Sequence, residues 1–195
     1  MTVTDPTDAK RRASARDRLL AAASQLFDAE GIQTVGVDRI IEHAGVSRGS
    51  FYNNFESKEQ LIHTYLLGHH LRTTTQLTEA VARQSDPRQK ILAVFETQGE
   101  RFRQPDFNGC AFVSASTEAP AGGVIDRDAA EFRSWLRTMF TELAQEAGAP
   151  DPGQLGRQLH VLYDGAGLTA RMDHDADIAA AIHAAVETLL DAALR

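Results

Sequence analysis

Between Gly36 and Phe55 two short apolar rhythms separated by a glycine leave room for two helices joined by a tight turn. Val37, Ile40, Ile41 and Ala44 recur at one-turn spacing, so the first helix turns an apolar face inward and keeps Arg39 and Glu42 wet. Gly45 stands just past the last periodic residue, where a left-handed conformation closes a helix and lets Val46 fold back onto the core. Ser47 restarts the chain as an N-cap whose hydroxyl suits the free amide of Gly49 or Ser50. In the second helix Phe51 and Phe55 share a face, taken as the buried one. Gly49, Ser50 and Asn53 then point away from it, with Arg48, Tyr52 and Asn54 on the flanks. Such groups match the donors and acceptors of major-groove base edges, and Gly49 permits close backbone approach, so the layout suits a helix-turn-helix DNA reader. The same pattern also fits a solvated face on an ordinary helical hairpin.

Charge decides where such a reader would work. The chain of 195 residues carries a formal net charge of −7, whereas a DNA-binding surface is normally basic. Lys10, Arg11, Arg12, Arg16 and Arg18 crowd around the start of the first expected helix, opposed there only by Asp8 and Asp17. Residues 61–195 hold 12 basic against 18 acidic side chains, so DNA contact is confined to one end and should weaken with salt. Six prolines, few alternating β-branched runs and an abundance of Ala, Leu, Glu, Gln and Arg predict an all-α chain of about nine helices. No apolar run approaches the length of a bilayer span and the start lacks a signal-peptide core, so a cytoplasmic protein without a membrane partner is expected. A single cysteine, Cys110, excludes an internal disulfide.

Residues 1–12 read as a disordered, basic-ended tail. A helix over about 13–30 carries Leu19, Ala22, Ala23, Leu26 and Phe27 on one stripe and stops at Gly31. Ser57 caps a further helix from Lys58 through Leu61, Ile62, Tyr65 and Leu66 towards Arg83. These landmarks, Ala22-Ala23, Leu26-Phe27, Glu30-Gly31, Asp38-Arg39-Ile40, Ala44 through Phe55 and Ser57 through Leu61, resemble the TetR family of one-component transcriptional regulators over roughly residues 14–74.

The resemblance implies a DNA-binding domain over 13–60 and a larger helical effector-binding and dimerisation domain over 61–195. It places Ser47, Arg48, Gly49, Ser50, Tyr52, Asn53 and Asn54 against bases and phosphates and Lys58 against the backbone. Tyr52 and Lys58 would position the protein, while Arg48, Ser50 and Asn53 would specify sequence. Gly36 departs from the hydroxyl residue common in the family, Asn54 from a frequent histidine, and Asp38 would repel a nearby phosphate. The family mechanism implied is a homodimeric repressor released from a palindromic operator by a small molecule; an activator of the same family is the alternative.

Asp86-Pro87 begins a helix through Ile91, Leu92, Val94, Phe95 and Phe102 to about Gln104. The segment 107–120, with Asn108-Gly109-Cys110-Ala111, resembles one in a subset of the family that borders the effector cavity. Phe102, Phe107, Cys110, Phe112, Trp135, Met139 and Tyr163 are then the expected lining of an effector site for an apolar or aromatic ligand, although such residues at helical spacing also build ordinary cores. Cys110 admits two readings, an oxidant or electrophile sensor and an inert packed thiol; no Lys, Arg or His adjoins it in sequence. A helix over 126–147 closes at Gly148, and two more follow the Ala149–Gly153 turn, one with Leu155, Leu159, Leu162, Tyr163 and Ala166, the next with Ile178, Ile182, Ala185, Val186, Leu189 and Ala193. In the family such a pair forms the dimer interface; two intrachain core helices is the other reading.

Enzymes are the rival class. The seven histidines show no metal spacing, and neither a phosphate loop nor a nucleophile elbow is present, so no catalytic residue, metal or cofactor is expected. A helical enzyme or carrier using Cys110 is the remaining alternative, and it leaves residues 36–61 unexplained.

Overall fold

The computed structural model describes residues 14–118, 122–175 and 177–194, so the expected tail over 1–12 and its Lys10-Arg11-Arg12 cluster lie outside the described residues. Nine helices and no strand occur among the described residues: α1 (Ala15–Glu30), α2 (Val37–Ala44), α3 (Arg48–Asn54), α4 (Lys58–Ala82), α5 (Pro87–Phe102), α6 (Ala111–Glu118), α7 (Val124–Glu146), α8 (Pro152–Asp173) and α9 (Ile178–Ala193). The all-α reading is what the fold has.

Caps set the boundaries. Ser14 and Asp17 form a reciprocal capping box at the start of α1, satisfying two amides that a helix start leaves unpaired. Gly45 closes α2 at φ 61°, its amide and that of Val46 turning back to the carbonyls of Glu42 and Ile41. The Ser57 hydroxyl accepts from the Gln60 amide at 3.1 Å, and Asp86 accepts from Gln89 ahead of Pro87. α5 ends at Phe102 rather than near Gln104, because Arg103 and Gln104 tighten into three-residue turns onto Glu100 and Arg101.

Contacts divide the chain into two compact units. The first takes in the described residues up to Gly68 together with Ser114–Ala129. This differs from a break at residue 60, and packing explains it: Leu61, Ile62, Tyr65 and Leu66 of α4 are buried. The Tyr65 ring meets Phe27 edge-on at 5.4 Å and its hydroxyl donates to Asp28. His63 is held by Asp128 at 2.8 Å. Leu19, Leu26, Val35, Ile40, Phe51 and Phe55 complete the apolar centre of this unit.

The second unit, His69–Val113 with Ala130–Arg195, is built on α5 packed against α8 and α9. Phe95, Phe140, Leu136, Leu155, Leu159, Val186 and Leu190 are buried there. Helices approach closely where a side chain is missing: a Cβ on Gly156 would lie 3.0 Å from the Thr141 backbone, and one on Gly99 would lie 2.8 Å from the Ala179 Cβ.

Candidate functional site

In the first unit α3 is anchored from one side and open on the other. Phe51 and Phe55 are fully buried, their rings 6.1 Å apart. The Ser47 hydroxyl accepts from the Ser50 amide at 3.1 Å, which fixes the start of the helix. Behind it α2 is clamped to α1 by Arg39 on Glu30 at 2.6 Å and His43 on Gln25 at 2.8 Å. On the open side lie Ser47, Arg48, Gly49, Tyr52 and Asn53, all exposed, with Ser50 half-buried. Tyr52 meets the Phe51 ring edge-on at 5.2 Å and still keeps 49% of its surface open. A Cβ on Gly49 would meet only the Ser47 hydroxyl, at 3.9 Å, so the helix start has room for another molecule's backbone to approach.

Three of the expected DNA-binding residues are already committed to contacts inside the chain. Arg48 reaches Asp38 at 3.2 Å, with both side chains exposed, so its guanidinium is held near the helix start by a weak, water-screened pair. Asn54 is half-buried and donates its amide to the Ser50 carbonyl at 2.7 Å, which turns it into a brace of α3. Lys58 donates to the Gln33 carbonyl at 3.4 Å. Arg16 stands beside this group: its guanidinium lies 4.6 Å from the centre of the Phe55 ring and donates to the Asn54 carbonyl at 3.3 Å. It was legible in the sequence only as one of a cluster of basic residues.

The second unit distributes five of the seven expected effector-site residues over three aromatic groups. Phe102 pairs with Phe107 at 5.1 Å. Phe112 stacks on Phe132 at 4.1 Å and 9°, joined by Trp135 and by the His70 ring. Tyr163 meets Phe95 at 6.1 Å and Phe140 at 6.0 Å. Met139 is half-buried on α7. An open groove of about 640 Å³ between the outer faces of α8 and α9 is lined by none of these seven.

Cys110 and Tyr163 belong to a polar group that the sequence conceals. Arg133 donates to Asp164 at 2.6 Å, His160 Nε2 lies 3.5 Å from the same carboxylate, and the Gln98 amide donates to the Tyr163 carbonyl at 2.7 Å. Burial pushes the Cys110 thiol above its ordinary pKa; the Val113 and Phe112 backbones and the Arg133 charge offset this only in part, and Asp164 adds to it. Burial likewise raises the Tyr163 phenol, helped by Cys110 and Asp164. His160 is shifted down, again by burial first, which outweighs the pull of Asp164. The site therefore holds a protonated thiol and a neutral imidazole at neutral pH. No cluster of metal-ligating side chains occurs among the described residues, and no described helix is long and apolar enough to cross a membrane.

Comparison with known proteins bears on both units. Residues 19–65 match the family described as bacterial regulatory proteins, tetR family. The HTH-type transcriptional regulator Rv1255c of Mycobacterium tuberculosis is 30% identical over 123 residues, 63% of this chain and 60% of that protein. The HTH-type transcriptional repressor NemR of Escherichia coli is 32% identical over 105 residues, 53% of each chain. The chain thus spans about 60% or less of the length of these curated relatives. The crystal structure of SCO4454, a TetR-family transcriptional regulator from Streptomyces coelicolor, superposes with a TM-score of 0.88 at 34% identity, covering 93% of this chain and 96% of that one.

Proposed function

The chain belongs to the TetR family of bacterial regulatory proteins, and from that premise we propose that it is a sequence-specific DNA-binding repressor, working as a homodimer and released from a palindromic operator by a small molecule. The observation that carries this reading is α3: its apolar side is fully buried at Phe51 and Phe55, while Arg48, Tyr52 and Asn53 stay exposed on a capped, braced helix. In the bound state Tyr52, Lys58 and Arg16 hold phosphates, and Arg48, Ser50 and Asn53 read base edges. Arg48 must first leave Asp38, an exposed pair whose loss costs little.

Dimerisation is assigned to the outer faces of α8 and α9. Ile182, Val186 and Leu190 use one side of α9 for the core, so the other side, with Ala185, Leu189 and Ala192, remains on the open groove. Along α8, Val161, Leu168 and Met172 are 70%, 49% and 69% exposed and recur at helical spacing. An apolar stripe of this kind fits a two-fold partner, and two-fold symmetry is what a palindrome requires. The repressor sign follows NemR, which is named a repressor. An effector in the second unit would act through its differential affinity for the DNA-bound and released conformations.

The test is a titration of the full chain against the intergenic DNA beside its own gene at low and moderate salt, with Tyr52→Ala and Asn53→Ala alongside. Selective binding that both substitutions weaken supports the reading. Selective binding insensitive to both removes α3 as the reader. Transcription that rises on DNA binding in a reporter reverses the sign to activator.

A further inference from the structure

Two buried polar atoms near one face of α8 have no hydrogen-bond partner among the described residues: Gln98 Oε1 and His160 Nε2. Their residues are 8% and 5% exposed. Native structures pair such groups, so each exception needs a physical account, and a bound molecule is one. The orientation of Gln98 is fixed by chemistry. Its Nε2 donates to the Tyr163 carbonyl at 2.7 Å, and a carbonyl accepts only from the amide nitrogen, so the oxygen is the end left over. Gly167, one turn further along α8, would place a Cβ 3.5 Å from that nitrogen, so Gln98 lies against the stretch of α8 that carries Tyr163 and Gly167. His160 lies one turn earlier on the same face, with its ring 3.5 Å from Asp164 but not bonded to it.

The surroundings narrow the ligand. Arg133 and Asp164 already neutralise each other at 2.6 Å, and Arg137, the other charge that acts on His160, is exposed to water, so a charged guest would find no buried counter-charge. Phe95 and Phe140 stack at 5.6 Å with Tyr163 edge-on to both, and Gln98 follows Phe95 and Tyr163 follows His160 by one helical turn, so the polar pair belongs to the aromatic part of this unit. An acceptor without a partner asks for a donor.

We propose that Gln98 Oε1 and His160 Nε2 are the polar anchors of the effector site, and that the effector is an uncharged, ring-containing compound bearing hydroxyl groups. A hydroxyl donates to Gln98, and a second polar group meets the imidazole. This rests on reading the second unit as an effector receptor, and it adds the polar chemistry that a purely apolar lining lacks. A neutral imidazole keeps one donor and one acceptor, so His160 serves a hydroxyl in either tautomer.

The experiment uses the full wild-type chain without DNA and a dihydroxynaphthalene with hydroxyls on opposite rings, set against its dimethoxy ether. Binding is followed by calorimetry and by the fluorescence of Trp135. The diol is expected to bind at least about tenfold more tightly, because the ether cannot donate to Gln98. Gln98→Leu is expected to remove that preference while the ether's affinity stays the same; His160→Phe is expected to reduce it. Equal affinity of diol and ether for the wild type, or no saturable binding of the diol at millimolar concentration, overturns the proposal and leaves ordered water as the partner of both atoms. Operator binding by the same wild-type preparation is measured separately. Intact operator binding without a diol preference sinks only this inference, whereas absent operator binding sinks the repressor reading.

Discussion

At Gly36 the chain lacks the side chain that a helix start uses. The residue has φ −82° and ψ 158°, ordinary N-cap geometry, makes no side-chain cap, and has open space where a Cβ would be. Gly36→Ser should therefore stabilise the protein by about 0.5–1 kcal/mol, read as a higher urea midpoint at unchanged slope. Cys110 shows the opposite lesson. The sequence admits a sensor there, but desolvation of the half-buried thiol raises its pKa, so the thiolate that would react is scarce. Alkylation by iodoacetamide at pH 8 should be far slower for the folded chain than for the urea-unfolded chain, and Cys110→Ser should leave peroxide sensitivity of operator binding unchanged. The same burial ties stability to pH. His160 resists protonation when folded, so as pH falls below about 6.5 the unfolded state binds more protons and stability declines. Cys110 and Tyr163 hold their protons longer when folded, so stability declines again as pH rises past about 9. Urea midpoints across this range should form a plateau between the two limits, with a shallower acid limb in His160→Leu.

Among the elements, α8 has two faces with different demands. Its inner side accepts no added atom at Gly156, where a Cβ would lie 3.0 Å from backbone atoms of Thr141 and 2.5 Å from its hydroxyl. Backbone cannot rotate away as a side chain can, so Gly156→Ala should cost about 1–3 kcal/mol in denaturant titration. Gly165 on the same helix has nothing within 4 Å of the position a Cβ would take, so Gly165→Ala should be neutral or stabilising to the fold. α3 divides in the same way. Phe51 and Phe55 hold it, Asn54 braces it through the Ser50 carbonyl, and Tyr52 and Asn53 stay exposed. Asn54→Ala should therefore lower stability as well as operator affinity, while Asn53→Ala should lower affinity alone.

For the whole molecule, a net charge of −7 means that operator binding depends on a few local cations rather than on general attraction. Arg16→Ala should weaken binding to specific and random DNA by the same factor and reduce the log–log salt slope by about one. Assembly should be separable from folding. Val161→Glu with Leu189→Glu places charge on the outer groove without touching the buried side of α9, so light scattering should report a monomer with unchanged helical content. That monomer should lose most of its operator affinity, since each half-site alone supplies only half of the contacts.

What the sequence determined by itself is everything decided within a few residues. The left-handed Gly45, the Ser47, Ser57 and Asp86 caps, and the pairing of Phe51 with Phe55 all depend on short-range hydrogen bonds or on a periodic apolar face, and both are written in neighbouring letters. The fold class and the two short helices of the helix-turn-helix segment were legible for that reason. Tertiary structure alone decided the rest. Gln98 and Tyr163 are 65 residues apart, and Arg133 and Asp164 are 31 apart, so no local pattern announces that they share one buried polar group. The partition of the aromatics into three groups, the tying of Lys58 to the Gln33 carbonyl, and the choice of which side of α9 is buried follow from how helices pack. Periodicity says that a helix has an apolar face; only its neighbours say what that face meets.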